Sequence, residues 1–408
     1  MGKITVSDHV ANKQKEYSLY VLYRRAIPSL VDGFKTGQRK AIFTALKTCK
    51  NKSIKTLALT GYSFPISQYH HGDVSMTDAI VGMAGKWNNN VPIFTGEGSF
   101  GSRMVQKAAS PRYTGVKVSK EFDNYFPDLD IVPANPDPDY PEPTFYYPTI
   151  PWVLVNGVKG IAVGFATHIA PRSPVDLAKA CADYLSGKKV DTVAPTYPSF
   201  KGEVNQVGPL SWELRGLFTR KTKTRINITE VPVGYDRAGY VAILEKLKDA
   251  KAIVNFADKC SKNGFEFDVT LPNASQKLTD EQLMKKLKLI KKITENLTMI
   301  DEDGKLIFFN TIGEVIKHFC EFRLGVYDIR YAAWIKRDEA KVKELDARQY
   351  FIRLVNDGKI PFKNFTRAQL VSHLRKLGFV KDHIGLLVTA NEVLIGFLRF
   401  KQRGRMGD

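Results

Sequence analysis

The sequence predicts an α+β protein of more than one domain: a basic, mainly helical N-terminal part, a strand-rich α/β middle and a long helical arm. Three observations carry this. Cations interleave with helix-periodic apolar residues over residues 1 to about 60. Short alternating stretches, Thr224-Arg225-Ile226-Asn227-Ile228-Thr229 and Phe265-Glu266-Phe267-Asp268-Val269, punctuate residues 200 to 275. From Thr311 to about Arg348, the residues Ile312, Ile316, Phe319, Arg323, Val326 and Arg330 step at three to four.

Length and charge bound the function. A chain of 408 residues has room for two or three cores. Lys and Arg number 61 against 42 Asp and Glu, a formal charge of +19. Such an excess calls for a polyanionic partner, nucleic acid first. Cys49, Cys181, Cys260 and Cys320 are far apart and form no C-x-x-C, which suits buried thiols in a reducing compartment and excludes a zinc ribbon. The start, Met1-Gly2-Lys3-Ile4-Thr5-Val6, lacks the apolar run of a signal peptide. The most apolar region, Ile150 to Pro171, is broken by Asn156, Lys159 and His168 and is too polar for a membrane span.

Taken in order, the first 60 residues set Lys13, Lys15, Arg24, Arg25, Lys35, Arg39, Lys40, Lys47, Lys50, Lys52 and Lys55 against only Asp8, Glu16 and Asp32. After Gly37, the residues Ile42, Phe43 and Leu46 predict a helix with one buried and one cationic face, suited to a DNA backbone. Tyr69-His70-His71-Gly72-Asp73 follows. Adjacent histidines point different ways, a poor metal pair but a workable combination of one structural and one functional imidazole. Ser75 with Asp78 resembles a capping box for a helix carrying Ile80 and Met83. Two short helices joined by a turn in a basic region suggest a helix-turn-helix or winged-helix module.

Gly96-Glu97-Gly98-Ser99-Phe100-Gly101 matches G-x-G-x-x-G, and Glu121 falls about 20 residues on. Pro111 and the lack of a second strand before Glu121 argue against a dinucleotide site, leaving glycines that let a loop pass close to another backbone or to DNA. That loop leads into Ala108-Ala109-Ser110-Pro111-Arg112-Tyr113-Thr114-Gly115. A tyrosine is a usable nucleophile when its oxyanion is stabilised, and Arg112 is adjacent. Residues 127 to 151 hold eight prolines and read as an irregular connector and domain boundary. Trp152-Val153-Leu154-Val155-Asn156-Gly157 reads as a buried strand ending in a tight turn. In Gly160-Ile161-Ala162-Val163-Gly164, the apolar side chain either protrudes from a loop or belongs to a core strand. A helix is expected around Tyr240–Lys248. Thr279-Asp280-Glu281-Gln282 and Thr311-Ile312-Gly313-Glu314 are capping boxes that open two more.

In this order the motifs resemble the breakage–reunion subunits of type IIA DNA topoisomerases, nearer to the T-even phage-type medium subunits and the cleavage core of the eukaryotic enzymes than to the gyrase A subunits. The resemblance rests on Ala26 to Lys40, Tyr69-His70-His71-Gly72, Gly98-Ser99-Phe100-Gly101-Ser102, Ser110-Pro111-Arg112-Tyr113, Ile150 to Gly157 with Gly160 to Gly164, Phe200-Lys201-Gly202 and Glu230-Val231-Pro232-Val233-Gly234. Together they cover residues 1 to about 350.

The resemblance implies a winged-helix domain with the catalytic tyrosine over 1–148 and a tower domain over 149–309. A coiled-coil arm would follow over 310–350, then a small dimer gate with a truncated or altered return segment over 351–408, because the basic tail ending Lys401 to Asp408 does not look like a long return helix. It implies Tyr113 as the nucleophile that takes a DNA 5′ end as a phosphotyrosine. Arg112 would stabilise the phosphoryl oxygens, and His71 would bind the scissile phosphate or help move the tyrosine proton. Arg25 and Lys35 match residues that contact the backbone at the cut, with Arg39 and Lys40 read as further DNA contacts on the same helix. Ile161 matches a wedge that enters the base stack and bends the duplex. Mg²⁺ and ATP are expected on a separate ATPase/TOPRIM large subunit, since no Walker loop and no acidic metal motif is found here. The partners implied are double-stranded DNA, a second copy of this chain in a homodimer, and that large subunit. No membrane is involved. The implied setting is the cytoplasm, the host's if the chain is phage-encoded. Without room for a DNA-wrapping pinwheel, relaxation or decatenation is expected. The alternatives are a non-catalytic winged-helix DNA-binding protein and a tyrosine recombinase. The latter would need its own Arg and His constellation, which is not found.

Overall fold

In the computed structural model, which describes residues 5, 7, 9–360, 366–382, 384, 385 and 387, the chain divides into two compact units that meet at Val326/Tyr327. The first begins with a helical segment in which π-turns His9–Gln14 and Leu22–Ala26 flank α1 (Lys15–Val21). Next come α2 (Thr36–Thr48), β1 (Ile54–Lys55), α3 (Thr56–Ser67), α4 (Asp73–Ala84), β2 (Phe94–Glu97) and β3 (Gly115–Val118). The three helices pack on a small antiparallel sheet of order β1-β3-β2, with Ile54 and Gly96 both opposite Val116. Helix α4 starts at Asp73 after Gly72, with an acidic residue at its positive end. The Ser75–Asp78 pairing therefore does not open it. Strand β3 also corrects the sequence reading of the glycine motif: a second strand does precede Glu121. It is antiparallel to β2 with no helix between, so the dinucleotide unit is still absent.

The proline-rich stretch does not behave as a free linker. After α5 (Phe122–Tyr125), the side chains of Asn135 and Asp137 accept the backbone N–H groups of Asp137 and Asp139 and hold it in turns. Tyr146 and Ile150 are buried in the main core. Phe126 stacks on Phe122 at 4.7 Å and meets Trp152 at 4.9 Å. That core takes residues from Leu30 to Cys320, on both sides of position 148.

The run expected as a strand is helix α6 (Trp152–Val155), with all four residues buried. A short apolar run buried on every side has no period from which to tell helix from strand. The tight turn after it is real: Gly157 has φ +65°, and a Cβ there would lie 2.4 Å from the Ile169 carbonyl. Strands β4 (Val158–Ile161) and β5 (Ala166–Ile169) form a hairpin, followed by α7 (Pro174–Leu185), capped by Ser173.

The strand-rich middle contains β6 (Glu203–Gly208), β7 (Ser211–Arg215), β8 (Leu217–Arg220), β9 (Arg225–Glu230), α8 (Arg237–Asp249), β10 (Asn255–Asp258), β11 (Phe267–Thr270), α9 (Asp280–Lys286) and β12 (Ile290–Thr294). One antiparallel sheet has the order β10-β11-β9-β8, the other β12-β7-β6. Ile226, Ile228, Tyr240, Leu244, Phe267, Val269 and Leu283 form a second core from strand faces and helix stripes of the expected periods. A further hairpin, β13 (Leu297–Ile300) with β14 (Leu306–Phe309), leads to α10 (Ile312–Asn356).

The box opening α10 forms as expected: Thr311 Oγ1 accepts the Glu314 N–H at 3.2 Å, and the Glu314 carboxylate accepts the Asn310 and Thr311 N–H groups. The helix continues past Arg348 to Asn356. In the second unit, Phe351, Leu354, Leu370, Leu374 and Phe379 make a small core with α11 (Arg367–Lys376). The basic tail from Lys401 to Asp408 lies outside the described residues. Among the described residues, no helix is long and apolar enough to cross a membrane.

Candidate active site

Arg25, Lys35 and His71 line one cleft of about 300 Å³, together with Tyr20, Arg24, Lys40, Gln68, Tyr69, His70 and Tyr140. Arg25 comes from the last turn of the N-terminal helical segment, and Lys35 from the residue before α2. His71 lies between α3 and α4, where Gln68 at φ +49° reverses the chain. Buried Tyr69 meets the His71 ring edge-on at 5.3 Å. The Arg25 guanidinium reaches both His71 ring nitrogens, its Nη2 lying 3.0 Å from Nδ1 and 3.4 Å from Nε2. Since a guanidinium only donates, the ring nitrogen it bonds carries a lone pair and the ring is neutral; the Tyr20 hydroxyl meets Nε2 at 2.8 Å. Burial lowers the His71 pKa, and the Arg25, His70 and Lys40 charges add to the shift. Burial also lowers the Lys35 pKa. Its ammonium donates to the Lys159 carbonyl at 2.5 Å, tying the cleft to the β4–β5 hairpin.

Two of the expected DNA contacts are corrected. Arg39 is only 7% exposed and forks onto the two carboxylate oxygens of Asp32, both at 2.9 Å, with a further bond to the Phe34 carbonyl. Lys40 is 5% exposed and donates to Glu142 at 2.9 Å and to the Ser67 carbonyl at the end of α3. These cations are spent inside the protein, because a buried charge has to be paired. The second also reveals residues that the sequence reading missed. Glu142 neutralises Lys40, and the Tyr140 ring lies under both Arg24 (4.1 Å) and Lys40 (4.7 Å). They come from the proline-rich stretch, where no periodicity marks them. The signal was the surplus of cations in the first 60 residues, which had to find acids elsewhere once some were buried.

Tyr113 and Arg112 are not among the residues lining this cleft. Both are exposed, Tyr113 at 73%. Their turn is closed by Tyr113 N–H to the Ser110 carbonyl at 2.9 Å. It sits on the first turn of α3, where the Thr56 and Leu57 N–H groups donate to the Thr114 and Pro111 carbonyls and Thr56 meets Thr114 hydroxyl to hydroxyl at 2.8 Å. Donors that a helix start leaves free thus fix the tyrosine turn. His71 follows the other end of the same helix. The helix between these two ends has twelve residues and a length of roughly 18 Å at 1.5 Å per residue.

Ile161 is 86% exposed at the tip of β4, beside exposed Val163 and Phe165. The core-strand alternative therefore falls. Behind it, Gly160 lies so close to the chain that a Cβ would sit 1.9 Å from the Ala26 carbonyl, which seats the hairpin against the Arg25 segment.

The cleft lining contains no carboxylate. Asp32 and Glu142 behind it are neutralised by Arg39 and Lys40. This donor set does not fit Mg²⁺, which takes oxygen ligands.

Residues 25–394 match the family model that describes the A subunit of DNA gyrase/topoisomerase IV. The chain is 37% identical over 390 residues to the DNA topoisomerase medium subunit of Enterobacteria phage T4, covering 94% of this chain and 88% of that one. To DNA topoisomerase 2 of Arabidopsis thaliana it is 33% identical over 393 residues, 92% of this chain and 27% of that one. The crystal structure of the DNA-binding, cleavage and re-ligation domain of Plasmodium falciparum topoisomerase II matches with a TM-score of 0.86 at 29% identity, over 92% of this chain and 53% of that one. The class is therefore that of the type II DNA topoisomerases. Within it, the chain belongs to the family of DNA gyrase/topoisomerase IV A subunits.

Proposed function

We propose that this chain is the DNA breakage–reunion subunit of an ATP-dependent type II topoisomerase. It cuts both strands of a duplex through 5′-phosphotyrosine links and reseals them after a second duplex has passed, giving relaxation or decatenation. The observation that carries this is an exposed tyrosine beside an arginine on a fixed turn, Tyr113 and Arg112, in the same fold as a cationic cleft of Arg25, Lys35 and neutral His71. In the breakage step the Tyr113 hydroxyl gives up its proton and its oxygen bonds to phosphorus. The P–O3′ bond breaks, and the 3′ oxygen leaves with a proton. One phosphodiester replaces another, so resealing needs no nucleotide. Arg112 stabilises charge on the phosphoryl oxygens, and Arg25 and Lys35 hold the backbone. Neutral His71 accepts a hydrogen bond or proton at its unprotonated ring nitrogen once DNA draws Arg25 away.

That Tyr113 and Arg112 lie outside the lining of their own chain's cleft supports a homodimer in which each tyrosine works with the partner's cleft. Two strands then meet two tyrosines. We assign residues 1–148 to a winged-helix domain, 149–309 to a tower, 310–350 to a coiled-coil arm and the small core that begins at Phe351 to a dimer gate. The carboxylates for Mg²⁺ and the ATPase are assigned to a separate large subunit, and the setting to the cytoplasm, the host's if the chain is phage-encoded. Ile161 is assigned as the bending wedge.

The test mixes the chain with its large subunit, DNA and Mg²⁺ and traps the reaction with detergent. Tyr113→Phe should bind DNA with unchanged affinity and leave no protein-linked 5′ ends. Adducts persisting in that variant would remove Tyr113 from its role. Absence of adducts in the unmodified chain would favour a non-catalytic DNA-binding protein.

A further inference from the structure

Two stretches singled out in the sequence, Phe200-Lys201-Gly202 and Glu230-Val231-Pro232-Val233-Gly234, have no part in the cleft or the nucleophile. In the structure they converge on one side chain of the loop that carries Tyr113. That loop leaves the small sheet as an excursion whose base is closed by Ala109 N–H to the Ser99 carbonyl at 3.0 Å and whose far end turns at Ser102 N–H to the Val105 carbonyl. At the far end Arg103 donates from Nη1 to Glu230 Oε1 at 2.8 Å and from Nη2 to the Val231 carbonyl at 2.9 Å. Its guanidinium lies 5.2 Å from the Phe200 ring centre and 5.3 Å from that of Phe265. Glu230 is buried, and its carboxylate is oriented by the N–H groups of Val231 and Lys201. The next residue, Met104, packs on the second core, and its carbonyl accepts the Arg237 N–H at 3.1 Å. Gly202 is needed because a Cβ there would lie 2.0 Å from the Arg215 carbonyl.

A planar fork set against two rings, with a buried carboxylate and a carbonyl on its edge, has one orientation. We propose that Arg103 is a positioning residue for strand breakage: it locks the excursion into the second-core domain and so fixes where Tyr113, four residues beyond the base, is presented. The inference rests on Tyr113 being the nucleophile. It gives the two sequence stretches a shared role as the socket, and it makes the reactivity of Tyr113 depend on a domain that does not contain it.

The experiment measures covalent adduct formation in a single turnover at saturating DNA, using the full chain with its large subunit and Mg²⁺. Arg103→Ala and Glu230→Gln should lower the rate about 10- to 100-fold, the scale expected when a reacting group is misplaced by about an ångström. DNA affinity should stay within about twofold. Arg103→Lys retains the charge opposite Glu230 but loses the carbonyl bond and the stacking, and should restore part of the rate. Phe200→Leu, the mildest change, should cost several-fold and serves if Arg103→Ala does not fold. Trypsin should cut after Lys107 faster in each slowed variant. Full rates in Arg103→Lys and Phe200→Leu, or a loss explained by DNA affinity alone, would overturn the proposal. Either result is distinct from adducts surviving Tyr113→Phe, which would remove the nucleophile itself.

Discussion

A guanidinium has no lone pair to offer, so the contacts from Arg25 at 3.0 and 3.4 Å suit His71 only while one ring nitrogen is unprotonated. Protonation would set two donors against each other, in a place where burial and neighbouring cations already oppose the charge. With a folded pKa below the ordinary value near 6.5, the unfolded chain binds the proton more tightly, so this residue's contribution to stability is present above about pH 6.5 and is lost as pH falls toward the folded pKa. Cleavage that depends on neutral His71 should keep its rate below pH 6.5. In Arg25→Ala one of the causes is removed, and the acid midpoint of the single-turnover rate should move up; an unmoved midpoint would separate His71 from the acid limb. The sequence singles out His71 by its place beside Gly72 in the motif Tyr69-His70-His71-Gly72. Its surroundings are not readable there, because they come from Arg25 and Tyr20, 46 and 51 residues away in sequence. Arg39 and Lys40 show the converse. Sequence gives the charge, but only the fold says whether it faces water or Asp32 and Glu142.

The β4–β5 hairpin is the element on which bending of DNA depends in this reading. Its tip side chain is largely in solvent, so Ile161→Ala should change stability by no more than about 0.5 kcal/mol. The same change should reduce DNA bending, measured by fluorescence energy transfer between duplex ends, and lower the cleavage yield. Unchanged bending would leave Ile161 as an exposed residue without that role. Elements with end signals were the legible ones: the boxes at Thr279 and Thr311 open the helices expected of them. The stretch Trp152–Val155 was misjudged because burial on all sides erases the period that separates helix from strand. The proline-rich stretch is irregular as expected, but prolines report the absence of regular structure, not the absence of packing, and Tyr146 there is among the most buried aromatic residues.

Over the whole molecule, a surplus of +19 is distributed unevenly between surface and interior. A duplex held by such a surface should bind with an affinity that falls linearly on a double-logarithmic salt plot. Lys35 uses one of its three donors on the Lys159 carbonyl, leaving the others for a phosphate. Lys35→Ala should therefore make the slope shallower by about 0.9, the value of one phosphate contact on a duplex; an unchanged slope would show that Lys35 touches none. The Asp32–Arg39, Glu142–Lys40, Asp128–Arg323 and Glu295–Arg172 pairs are buried, the last fully so on both sides. Dissolved ions screen charges that face solvent and barely reach those that do not. Brine is thus a selective reagent for this protein: it washes nucleic acid from the exterior while the internal rivets stay fastened, so the chain can be stripped clean and recovered folded by dilution.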